Sequence, residues 1–370
     1  METISQIAGC KNLYLELASF IHERINFVEN NQQEIPGLGL YNGKTGAIIL
    51  YFTLFRYTGK KLWEEKARSL LDDISERIAS VQELNYSRGL AGIGWTIEWI
   101  KQNGYMEINT DEVLEDIDDT LYKGVLYARD KTISLSTGTL GKAAYFLKRY
   151  ESKNTGTHRY KTISHQECLV LLTDEIHEAV AGEKGLLHQF DSGIIPTKEQ
   201  LLDLSHTIIY LSKISHHKIN AEIVERTLYA LIKYAASLLN KFSGEGKTAD
   251  CSTEGAEELI YLAYAYYIAG FKLEYESWQQ KGQKYFDKAL EKVLPIVPYE
   301  DTLHFVPMLC CLYHHTEEKY YLQKLMEICR LTDQSSVPLD LQGGIGEMMM
   351  GAISCVCPDV ISWDEVLLHS

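Results

Sequence analysis

The chain has 370 residues, 45% of them hydrophobic, with 26 glycines and only 7 prolines; this excludes collagen-like and low-complexity readings and leaves room for a large buried core. Lys and Arg number 36 against 51 Asp and Glu, a formal net charge of −15, which argues against a surface for nucleic acid or anionic membranes. Eight cysteines are too sparse for a disulfide framework, so a reduced, cytoplasmic protein is expected.

The first twenty residues, METISQIAGCKNLYLELASF, lack a basic start followed by an apolar core, and no secretory signal is expected. Gly43-Lys-Thr-Gly46 then leads into AIILYFTLF, an apolar run of about nine residues where a membrane span needs about 20. A soluble protein is therefore expected. Residues 62–78 carry apolar side chains at 62, 67, 70, 71, 74 and 78 with charges between them, the stripe of an amphipathic helix. Gly89-Leu-Ala-Gly92 opens the next apolar helix, 110–127 reads as amphipathic, and Gly138-Thr-Leu-Gly141 opens another. The polar stretch 151–167 reads as a loop insertion.

Further along, Ser205-His206-Thr207 precedes IIYLSKI, and 220–239 is again amphipathic. Cys251-Ser252-Thr253 precedes EGAEELIYLAYAYY, Leu303-His304-Phe305 precedes VPMLCCLY, and Gly343-Gly-Ile-Gly346 opens the last apolar helix. Aligned on the first glycine, these segments fall at 43, 89, 138, 207, 253, 305 and 343, with spacings of 46, 49, 69, 46, 52 and 38. Each interval holds two helices and their turns. Such a period predicts an all-α repeat fold with one continuous core, so that residues 1–370 form a single domain. The glycines are expected to permit positive φ or to let helix ends crowd together.

Several catalytic signatures are absent. Gly246-Lys247-Thr248 resembles the end of a P-loop, but Lys241 stands where its first glycine belongs. His177-Glu178 meets Ala181 where a zincin needs its second His. Gly89-x-x-Gly92-x-Gly94 has the wrong order for a dinucleotide fingerprint, and no Gly-x-Ser-x-Gly occurs.

The segments Gly39-Leu-Tyr-Asn-Gly43-Lys-Thr-Gly46, Ser87-Arg-Gly-Leu-Ala-Gly92 and Leu339-Asp-Leu-Gln-Gly343-Gly-Ile-Gly346, with the closing Trp363-x-x-x-Leu367-Leu368, resemble the lanthionine synthetase C-like family. The resemblance implies an α/α toroid of about seven inner and seven outer helices, with an active site at one mouth of the ring. It also implies a peptide substrate, and a zinc ion that activates peptide thiols for thioether formation. Bound zinc deprotonates a coordinated thiol and leaves a position open for substrate.

Carried onto this sequence, the family's zinc ligands correspond to Cys251 and His304, and its fourth-repeat His, a candidate acid/base, to His206. Leu303 occupies the place of a second ligand Cys, so one expected zinc ligand is missing. Cys310 shares a helix face with Leu303 but lies about 10 Å further along the axis, and the pair Cys310-Cys311 reads as core. Thr207, Ser134, Lys247 and Ser252 are further departures from the family pattern.

Two alternatives stand beside a zinc-dependent cyclase. One is a peptide-binding member of the same fold without chemistry, which Leu303 favours. The other is a carbohydrate-active toroid using carboxylates, drawn from Asp250, Glu254, Glu257 and Glu258 with Asp340 and Glu347 beside the last glycine segment. The acids at 250, 254, 257 and 258 read more readily as a solvated face.

Overall fold

The computed structural model describes residues 2–30, 35–154, 159–242, 256–295, 302–331, 341 and 344–357, with backbone alone for 2–11 and 256. Sixteen α-helices lie among them: α1 (Glu2–Asn30), α2 (Lys44–Thr58), α3 (Lys61–Arg77), α4 (Leu90–Gln102), α5 (Thr110–Val113), α6 (Glu115–Tyr127), α7 (Thr139–Tyr150), α8 (Arg159–Ala181), α9 (Leu186–Asp191), α10 (Lys198–Ile214), α11 (Ala221–Phe242), α12 (Ala256–Lys272), α13 (Glu276–Val293), α14 (Phe305–Thr316), α15 (Lys319–Leu331) and α16 (Ile345–Val356). The described residues contain no strand, only an isolated bridge between Gly37 and Gly43. The expected all-α fold is observed.

Two kinds of helix alternate. In α7 every residue from Thr139 to Arg149 is buried, and in α16 every residue from Ile345 to Cys355. By contrast α3 buries only Trp63, Ala67 and Ile74, while α15 buries Tyr321, Leu322, Leu325, Met326, Ile328 and Cys329. The first kind needs cover on all sides; the second presents one stripe at helical spacing to a neighbour and its charges to water. Each buried Leu, Ile or Phe contributes about 1.5–3 kcal/mol, so alternation of the two kinds is what makes the stack stable.

Internal contacts group the chain into two compact units: Met1–Glu83 with Ser87–Thr96 and Val297–Ser370, and Leu84–Tyr86 with Ile97–Ile296. In the first unit α16 packs on α14, α1 and α2, and α2 on α3. The C-terminal and N-terminal repeats therefore meet, and Leu341 N–H donates to Tyr41 C=O at 3.1 Å. In the second unit α12 packs on α13 and α10, and α7 on α8.

The first three glycine segments share one turn. Lys44 N–H donates to Gly37 C=O at 2.9 Å, Leu90 N–H to Glu83 C=O at 2.9 Å, and Thr139 N–H to Thr132 C=O at 3.1 Å. Each bond reaches back seven positions and satisfies an N–H that a helix start leaves without a partner. The loop folds so closely on the helix that a Cβ at Gly46 would stand 2.2 Å from Leu40 O, and one at Gly141 2.4 Å from Leu135 O. Close approach selects glycine here. Positive φ does not, since Gly43 and Gly138 have φ of −153° and −120°.

Two expected boundaries differ. The stretch 151–167 is helical from Arg159 onward, as the first turns of α8. Helix α10 begins at Lys198, so Ser205-His206-Thr207 lie inside it rather than ahead of it. Its start is a capping box: Thr197 Oγ1 accepts from Gln200 N–H at 3.2 Å, and Gln200 Oε1 from Thr197 N–H at 2.9 Å. Thr197→Ala is expected to cost about 1 kcal/mol, measured as a lower urea midpoint at unchanged slope.

The second unit also buries a charge cluster. The Arg149 guanidinium, on α7, donates to Glu98 at 2.7 Å, to Asp111 at 3.1 Å and to both Asp118 oxygens at 3.0 and 2.8 Å. Tyr145 O–H donates to Asp118 at 2.6 Å and Thr110 O–H to Glu98 at 2.6 Å. His165 Nε2 lies 3.4 Å from Asp118.

Candidate functional site

Leu303 and His304 stand at the start of α14, where His304 is the N-cap residue. Leu303 is fully buried and carries no donor atom. His304 is partly exposed, and its Nδ1 lies 3.0 Å from Glu347 Oε2. Glu347 occupies the first turn of α16 and is buried. The N-terminal end of a helix favours a carboxylate, and the packing of α14 on α16 brings the two residues together across 43 positions. Burial, and then the charge of Glu347, push the Tyr41 hydroxyl far above its ordinary range.

A carboxylate at one ring nitrogen fixes the orientation of a histidine and directs the other nitrogen outward, the usual support for a metal-ligating ring. Glu347 gives His304 a support of this kind. Cys251, the other expected ligand, lies outside the described residues, as do Asp250, Glu254 and Asp340. Among the described residues no group of three His, Cys, Asp or Glu is placed to hold a metal ion. Cys251 and His304 together fall one short of the three protein ligands usual for catalytic zinc, so this donor set does not by itself complete such a centre.

Cys310 is core, as expected: it is buried and its thiol donates to Gly351 C=O at 3.0 Å. Burial, then a bond with Cys355, raises that thiol well above its usual range, which makes it unreactive. His206 is buried within α10 at 5% exposure, with Asp203 one turn before it and Tyr210 one turn after. Of the acidic cluster, Glu258 sits in the first turn of α12, where Lys198 Nζ approaches it at 3.6 Å. Glu257 stands beside it in the same turn, and Glu347 is bound to His304.

Sequence reasoning passed over Asp203. It is half-buried in the second unit, and burial together with the charge of Glu199 pushes its carboxyl up to about 7. The acidic residue one turn before His206 was a signal available in the sequence.

Buried helices opened by glycine turns, alternating with amphipathic ones, define an α/α repeat protein. The family model for lanthionine synthetase C-like proteins matches residues 7–178, so the family resemblance carried by the segments 39–46 and 87–92 is shown for that stretch. The solved structure of a protein named nisin cyclase is similar at a TM-score of 0.64 and 13% identity, covering 97% of this chain and 98% of that one. At this identity the likeness is one of fold, the α/α toroid. No curated protein matches the chain in sequence. No described helix is long and apolar enough to cross a membrane.

Proposed function

We propose that this chain is a lanthionine cyclase-like protein acting on a peptide, with His304 as its metal-facing side chain, Cys251 as the second protein donor and His206 as an acid/base group. The contact of His304 with buried Glu347 supports this reading most directly, because it gives the ring the carboxylate backing typical of metal ligands. Zinc, when bound, would hold a peptide thiol as thiolate. The chain's own residues orient and exchange protons: Glu347 fixes the His304 ring, and His206 is of the type that moves a proton near neutral pH. The proposal includes the single-domain reading of residues 1–370.

Buried, apolar Leu303 favours a second reading, a peptide-binding protein that has lost its zinc chemistry. Metal content of protein produced with ample zinc separates the two. The first predicts about one zinc per chain, lost in Cys251→Ala and His304→Ala, with affinity about 10–100-fold weaker in Glu347→Gln. A wild-type chain without zinc would overturn the first reading in favour of the second.

A further inference from the structure

A cavity of about 460 Å³ opens in the second unit between residues 129–133, the start of α7, and helices α8, α9 and α10. That is the size of a small-ligand pocket. Its walls carry four carboxylates, Asp130, Glu175, Glu178 and Asp203, against the cations Arg129 and Lys131.

The nearby cations are already engaged or at the rim. Lys142 Nζ donates to Asp130 at 2.9 Å. Arg129 donates to Glu178 at 2.9 Å and stands 3.8 Å from Glu175. Lys131 is exposed and forms no ion pair among the described residues. Asp203 likewise has no cation among them, and Glu199 on the same helix adds negative charge.

A half-buried carboxylate without a cation is costly to keep ionised, and its shift to about 7 has burial as first cause. Burial raises Glu175 as well, with Arg129 opposing. An incoming cation would relieve both groups. Ile133, Ala179 and Leu186 supply apolar wall to the same cavity. The lining therefore combines one carboxylate without a cation partner, Asp203, with a paired one, Glu175, and apolar wall.

We propose that this cavity binds an ammonium or guanidinium group on an aliphatic stem, as at the end of a lysine or arginine side chain, with Asp203 as the main anchor, Glu175 as the second, and Ile133, Ala179 and Leu186 around the stem. The natural source of that side chain, a peptide, rests on the function proposed above; the pocket chemistry does not. Asp203 lies three positions before His206, the proposed acid/base group, on α10.

Below about pH 7 Asp203 takes up a proton and its attraction for a cation falls, so affinity is expected to drop between pH 8 and pH 6, with proton release on binding. The test is calorimetric titration of the full chain with Nα-acetyl-arginine amide, using Nα-acetyl-norleucine amide as the uncharged control. Saturable binding of the arginine probe alone, weakened about tenfold or more in Asp203→Asn, is the expected result. Glu175→Gln, expected to weaken binding less, serves if Asp203→Asn does not fold. No saturable binding, equal binding of the norleucine probe, or undiminished binding by a folded variant would each overturn the proposal. Zinc content is read separately, so failure of one reading is distinguishable from failure of the other.

Discussion

Arg149→Ala is expected to destabilise the protein by about 3–5 kcal/mol, read as loss of the urea midpoint at unchanged slope. The Arg149 side chain is fully buried, and its guanidinium answers Glu98, Asp111 and Asp118 at once. Removing it leaves three largely buried carboxylates facing one another without the guanidinium. Arg149→Lys is expected to fall between wild type and alanine, because one ammonium cannot reproduce the planar fork that serves three acceptors. A loss below about 1 kcal/mol for alanine, the size typical of an exposed pair, would show that the cluster is solvated.

The same cluster predicts acid sensitivity. Burial would raise Asp118, but bonds from His165 and Arg149 outweigh it and hold its carboxyl well below the usual carboxylate range. The unfolded chain regains an ordinary Asp pKa near about 3.9, so below that pH the unfolded state binds more protons than the folded one. The stabilisation is complete above about pH 4 and is lost as pH falls through the folded value. In Arg149→Ala that acid dependence is expected to flatten.

The fold was legible because its signals are local. A stripe such as 62–78, or a glycine turn before an apolar run, is written in residues that are neighbours in sequence, and helices begin at Lys44, Leu90 and Thr139 as the glycines at 43, 89 and 138 imply. The fourth repeat was misplaced because its frame was carried over from the glycine spacing. Pro196-Thr197-x-x-Gln200, a capping-box signature, marks the actual start of α10. The site was less legible. His304 and Glu347 could each be singled out, but not their contact across 43 positions. Nor does periodicity say which charge is buried: Lys148-Arg149 at the end of an apolar helix reads like any solvated C-terminal pair. Only packing of α7 on α8 and against residues 98–118 makes Arg149 a hub.

Gly46→Ala is expected to cost about 3 kcal/mol, against about 1 kcal/mol for Gly59→Ala. The contrast separates two uses of glycine. Gly59 closes α2 at φ 68°, where a Cβ would meet nothing within 4 Å, so alanine there is penalised by conformation alone. Gly46 carries no such φ, yet its Cβ would stand 2.2 Å from Leu40 O and 3.1 Å from the Leu341 side chain. Leu40 O is backbone and has no rotamer to escape into; relief means moving the loop that holds Lys44 N–H to Gly37 and Thr45 N–H to Leu38. Gly141→Ala should behave like Gly46→Ala, since its Cβ would meet Leu135 O at 2.4 Å and Tyr86 Cβ at 2.6 Å. Thermal and urea melts of the three variants decide the matter. Large losses at 46 and 141 with a small one at 59 make the repeated glycines an architectural device, a helix start clamped on its own loop. Equal small losses at all three would show that the loop yields, and that the spacing of these glycines needs another cause.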